Sequence, residues 1–139
     1  GIQAQTAKER GAEVLALDIN PECVDHCKKL KINTILSNLF ENIKDKFDLI
    51  IFNPPYLPEE PLEPEDSRLA TTGGKKGNEI LEQFLKEVKE YLNKEGKVLI
   101  LFSSLTPDVD KIIKKNNLKF EKLSEEKIPF EKLFVYLIE

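Results

Sequence analysis

Apolar positions along the chain follow two rhythms that alternate, one of helical spacing and one of short apolar runs. Ile2 to Arg10 reads as a helix that ends at Gly11, a residue suited to the left-handed position after a helix. Glu13 to Leu17 reads as a short strand with Asp18 at its tip. Asn20-Pro21-Glu22 opens a second helix, with Asn at the N-cap and Pro at the first helical position, running to about Leu30. Asn33 to Leu36 and Phe47 to Phe52 are strands; the uniformly apolar run from Leu49 predicts one that is fully buried. Residues 57–77, rich in Pro, Glu and Gly, predict a long loop, and loops of that length in a compact domain are usually functional or mobile. Asn78 to Tyr91 predicts an amphipathic helix, with Ile80, Leu81, Phe84, Leu85, Val88 and Leu92 at helical spacing. Gly96 precedes a strand over Lys97 to Phe102, and Thr106-Pro107 opens a helix to about Lys115. Leu118 to Lys122 and Leu133 to Ile138 are the last strands, expected as an antiparallel pair at an edge.

This order predicts an α/β fold, a doubly wound sheet with helices on both faces. Nothing marks an internal boundary, so residues 1–139 are expected to form a single domain. With 139 residues the chain is long enough for a sizeable core. The net charge of −4 argues against a dedicated nucleic-acid binder, for which a basic face is the expected footprint. No apolar stretch approaches the length of a membrane span and no signal peptide is visible, so a cytoplasmic protein is expected. Cys23, His26 and Cys27 share one predicted helix but lack further ligands nearby; no metal is expected, and the cysteines read as ordinary, partly buried thiols. The chain has no Met and opens on Gly-Ile-Gln-Ala-Gln, already the start of a helix, so it reads as a fragment or as a sequence whose upstream part is not included.

The chemistry concentrates in Asp48-Leu-Ile-Ile-Phe-Asn-Pro-Pro-Tyr56. The strand stops at Asn53 because Pro54 and Pro55 lack the amide hydrogens a ladder needs and hold the chain extended. A rigid loop with a polar tip is thereby fixed at the carboxyl end of a strand, where open α/β sheets bind ligands. The plainer alternative is a turn after a strand. Asp18, at the tip of another strand, is placed to accept both hydroxyls of a ribose, with Ile19 beside the base; the plainer alternative there is a helix-entry residue near the positive end of a helix.

Asn53-Pro54-Pro55-Tyr56 resembles motif IV of the S-adenosylmethionine-dependent amino-methyltransferases. The resemblance implies that Asn53 and Pro54 accept hydrogen bonds from a planar target NH2 and that Tyr56 packs against it. It makes Asn53, Pro54 and Tyr56 the expected catalytic residues, with Pro55 also lining the substrate. The order of elements is similar to that of a class I, Rossmann-like methyltransferase from its first helix onward, with a mostly parallel sheet and an antiparallel edge strand. The first, central strand of that family is not in this sequence, and the sheet is expected to need one from elsewhere or from upstream. The family's Gly-rich turn would leave only its final glycine here, Gly1. S-adenosyl-L-methionine is the implied cofactor, bound by Gly1, Asp18, Ile19, Asn38, Leu39 and Asn53. The family usually has Asp where Asn38 stands, but the Asn side-chain oxygen can accept the same bond.

Three segments narrow the resemblance: Asp18-Ile-Asn-Pro-Glu22, Phe52-Asn-Pro-Pro-Tyr56 and Gly73-Gly-Lys-Lys-Gly-Asn-Glu79. Together they are similar to the release-factor glutamine methyltransferases of the HemK and PrmC type, above all the archaeal and eukaryotic HemK2 or Mtq2 branch. The implied substrate is the glutamine of the Gly-Gly-Gln loop of a translation termination factor. The 57–77 loop would cover it, with Glu59, Glu60, Glu63, Glu65 and Asp66 suited to a basic protein surface or simply solvated. Gly73 and Gly74 are expected to shape the loop rather than touch substrate. The branch also implies a small zinc-binding activator resembling Trm112, adding a strand beside Asn33 to Leu36. Two other readings stay open: an amino-methyltransferase acting on adenine N6 or guanine N2 of nucleic acid, and a non-catalytic methyltransferase-like subunit.

Overall fold

The computed structural model describes residues 1–62 and 64–139, with residues 65, 66 and 69 described by backbone alone. These residues form two compact units, Gly1–Asp45 and Lys46–Glu139. Among them no helix is long and apolar enough to cross a membrane.

The first unit contains α1 (Ile2–Glu9), β1 (Leu15–Asp18), α2 (Pro21–Lys29) and β2 (Asn33–Leu36). Gly11 follows α1 with φ +87°, and its amide donates to the Lys8 carbonyl at 2.9 Å, which satisfies one of the last orphan carbonyls of the helix. Asn20 caps α2 as the sequence predicts: its side-chain oxygen accepts from the Glu22 amide at 2.9 Å, and Pro21 loses no helical bond. β1 and β2 are parallel, with Asp18 opposite Leu36. Val24 and Cys27 are buried on α2, together with Ile32, Phe40 and Ile43. Cys23 is exposed, which corrects the expectation for one of the two thiols. It sits in the first turn of α2, where partial desolvation and the Asp18 carboxylate raise its thiol pKa.

The second unit is a mixed sheet of order β3-β4-β6-β5. It comprises β3 (Phe47–Phe52), α3 (Glu65–Thr71), α4 (Glu79–Glu87) with a 3-10 turn at Val88–Tyr91, β4 (Leu92–Ser103), α5 (Val109–Lys115), β5 (Phe120–Ile128) and β6 (Glu131–Ile138). β3 and β4 are parallel, and β6 runs antiparallel to both β4 and β5, so the expected antiparallel pair closes the edge. One sheet face carries the core. Phe52 stacks on Phe84 of α4 with ring centroids 4.2 Å apart, and its register partner Ile100 is buried with Val98 and Phe102. α4 contributes Leu81, Phe84 and Leu85, and α5 contributes Val109, Ile112 and Ile113. Each such side chain contributes about 1.5–3 kcal/mol by leaving water.

Three expectations need correction. Leu49 and Ile51 are 47% and 39% exposed, so β3 is buried on one face only; among the described residues it pairs with β4 alone. The 57–77 segment contains α3, entered after Pro64, whose fixed φ suits the approach to a helix. The hairpin is longer than predicted, because β5 continues through charged residues to Ile128 and is held by its register with β6.

Candidate active site

Asn53 follows the last residue of β3, which β4 fixes in register through Phe52 opposite Ile100. The Asn53 side chain is exposed and makes no hydrogen bond among the described residues, while Pro54 behind it is buried. A free amide is therefore presented on a rigid stem.

The glycines of residues 73–77 hold that stem. A Cβ on Gly73 would lie 2.6 Å from the Pro55 carbonyl oxygen, and one on Gly77 would lie 2.8 Å from that of Tyr56. Only glycine lets the two backbones approach so closely, and Gly77 also has φ +88°. Backbone bonds tie the strap in place: Leu57 N to Thr71 O and Gly73 N to Leu57 O, both 2.9 Å, and Glu59 N to Gly74 O at 3.1 Å. Gly74 has φ +113°, so Gly73 and Gly74, the two expected to shape the loop, do shape it, and Gly77 joins them. Glu79, in the first turn of α4, turns its carboxylate back onto the amides of Lys76 (3.0 Å), Gly77 (3.1 Å) and Asn78 (3.2 Å). Partial desolvation raises its pKa, but the backbone donors outweigh this and the net shift is downward.

A second group of polar side chains reaches the loop from β4 and β6. Thr106 is 6% exposed; its hydroxyl donates to the Tyr56 carbonyl and accepts from the Ser103 amide, both at 3.3 Å. Ser103, fully buried, donates its hydroxyl hydrogen to Glu131 and accepts from the Leu105 amide at 3.1 Å. Burial raises the phenol pKa of Tyr56, and the Glu131 charge raises it further.

In the first unit the tips of β1 and β2 lie side by side, joined by Ser37 N to Asp18 O at 2.9 Å. This brings Asp18 and Ile19 next to Asn38 and Leu39. The Asp18 carboxylate accepts from the Asn20 amide at 2.9 Å, and Ile19 is exposed. Asn38 donates its Nδ2 to Glu41 at 3.0 Å, which leaves the side-chain oxygen as the outward acceptor. Leu39 has φ +47°. Gly1 is the N-cap of α1, and a Cβ there would lie 2.7 Å from Cys27 Sγ.

Of the loop acids, Glu59 pairs with Arg68 at 3.2 Å and Glu60 is exposed. Glu63 lies outside the described residues, as do the side chains of Glu65 and Asp66. The sequence reading misses Glu79, Ser103, Thr106 and Glu131 as parts of the site. Only Glu79 carried a signal, as the last residue of the Gly-rich segment.

No family model matches the chain. A Methanocaldococcus jannaschii protein that carries the provisional name of protein N5-glutamine methyltransferase is 43% identical over 96% of this chain and 73% of its own length. A release factor glutamine methyltransferase of Aquifex aeolicus is 33% identical over 71% of this chain, which spans only 40% of that relative. Among solved structures, the E. cuniculi Mtq2-Trm112 complex, responsible for methylation of the translation termination factor eRF1, superposes with a TM-score of 0.62 at 19% identity. The match covers 99% of this chain and 93% of that one and shows a shared α/β methyltransferase fold.

Proposed function

The chain belongs to the protein N5-glutamine methyltransferase family, and on that premise we propose that it methylates the side-chain nitrogen of the Gly-Gly-Gln glutamine in a translation termination factor, in the cytoplasm. The observation that carries the reading is the exposed, unpaired Asn53 amide on the buried Pro54 stem.

A glutamine amide nitrogen is a poor nucleophile because its lone pair is delocalised into the carbonyl. Asn53 Oδ1 and the Pro54 carbonyl, both acceptors, hold the two N–H groups and disperse positive charge on the nitrogen. Tyr56 offers a ring face to a cationic group. Pro55 lines the same rigid turn. As the N–CH3 bond forms, the S–CH3 bond breaks to a neutral thioether, and the surplus N–H proton, made acidic by methylation, leaves to water, so no strong base is needed.

S-adenosylmethionine, when bound, supplies a methyl group activated by its attachment to a sulfonium. The residues present fit it. Asp18 offers a carboxylate to ribose hydroxyls, Asn38 offers an acceptor to an adenine amino group, and Ile19 and Leu39 offer apolar surface. Gly1 leaves the backbone bare at the entrance to α1. Glu41 favours this assignment, because it occupies the Asn38 donor and leaves the oxygen that an Asp would have offered.

A strand-adding activator like Trm112 fits the outer edge of β2. Among the described residues β2 pairs only with β1, and Leu36 is half-exposed.

The test offers labelled S-adenosylmethionine and purified termination factor beside bulk tRNA and rRNA, with and without the activator. Label on the factor that disappears when its Gly-Gly-Gln glutamine is replaced supports the proposal. Label on RNA alone overturns the substrate while keeping the role of Asn53.

A further inference from the structure

We propose that Thr106, with Ser103 and Glu131, is a positioning unit for Tyr56 during methyl transfer. The inference rests on reading Asn53 to Tyr56 as the catalytic loop.

The geometry leaves each hydroxyl one arrangement. Thr106 Oγ1 receives the Ser103 amide hydrogen, so its own hydrogen is directed to the Tyr56 carbonyl. Ser103 Oγ receives the Leu105 amide hydrogen, so its hydrogen goes to the Glu131 carboxylate. Ser103 and Thr106 are buried, so water does not compete for these bonds. The Tyr56 carbonyl is thus gripped from one side by Thr106, while the Gly77 backbone packs against it. The same chain of bonds holds Glu131, at the start of β6, whose charge adds to burial in raising the Tyr56 phenol pKa. The three residues therefore set where Tyr56 stands. Thr106 bonds the Tyr56 backbone directly, and Ser103 and Glu131 act through Thr106.

The experiment compares Thr106→Val, Thr106→Ser and Glu131→Gln in the enzyme. Steady-state kinetics with termination factor are read together with NMR titration of labelled tyrosine rings, Tyr91 and Tyr136 serving as internal references. Thr106→Val is expected to lower kcat roughly ten- to a hundredfold, the scale of a small misplacement of a catalytic group, with cofactor affinity unchanged. Thr106→Ser should restore kcat, because it keeps the hydroxyl. Glu131→Gln should lower the Tyr56 pKa and leave the other two tyrosines in place. Unchanged kcat in Thr106→Val, even with reduced stability, would make the unit a mere staple and overturn the proposal. Where Thr106→Val fails to fold, Ser103→Ala decides: it removes the hydroxyl that links the unit to Glu131, and an unchanged kcat rejects the unit. If wild-type enzyme leaves the termination factor unmethylated, the functional reading fails separately, and amide exchange at Leu57 decides the geometry: exchange no faster in Thr106→Val than in wild type rejects the unit.

Discussion

In the proposed mechanism Asn53 and Asp18 do different work, and substitution separates them. Asn53→Ala removes an acceptor that acts on the target nitrogen. We expect kcat to fall about 10²–10³-fold, the scale seen when one preorganised hydrogen-bonding group is lost, with S-adenosylmethionine affinity nearly unchanged. Kinetics and calorimetry together check this, and full turnover would reject the catalytic assignment. Asp18→Ala should instead weaken cofactor binding by about 1.5–3 kcal/mol, the value of hydrogen bonds to a charged group, as read by calorimetry. Glu79 gives a pH dependence. Its folded pKa lies below the ordinary glutamate value. Its contribution to stability is therefore complete above that ordinary value and is lost as pH falls through the depressed one. Glu79→Gln should flatten this part of the acid limb in denaturant midpoints measured across pH.

At the scale of elements, Gly77 is a tight joint. Its positive φ and its approach to the Tyr56 carbonyl make Gly77→Ala costly, by about 1–3 kcal/mol of backbone strain, measurable as a shift in denaturant midpoint. The elements that sequence made visible are those whose signals are local. Asn20-Pro21 starts α2 because cap and first turn are adjacent residues, and β3 ends at Asn53 because two prolines follow. α3 was hidden because Pro, Glu and Gly dominate residues 57–77, and a seven-residue helix shows too few turns to reveal a period. The outer half of β5 was hidden because Glu125, Glu126 and Lys127 have no buried face; pairing with β6 alone makes them a strand. The site divides in the same way. Asn53 to Tyr56 could be read because its rigidity is written in consecutive residues. Thr106 and Glu131 could not, because their bonds span 50 and 28 residues and exist only once the sheet has formed.

At the scale of the whole molecule, the open face of β3 stands out against a well-packed opposite face. In the 1–139 polypeptide, Leu49→Lys and Ile51→Lys should each change stability by no more than about 0.5 kcal/mol, as for other exposed positions, and should improve solubility. A loss of several kcal/mol in urea unfolding would show that this face is covered in solution. The outer edge of β2 is the other open margin, and an activator that adds a strand there should make its own binding depend on Leu36.

The free side of β3 has a further consequence. Backbone amides of β3 that point away from β4 have no ladder partner among the described residues. They should exchange with deuterium far faster than those shared with β4. β3 thus contains its own clock: any segment that docks along it will be reported as a slowing of deuterium uptake at those amides.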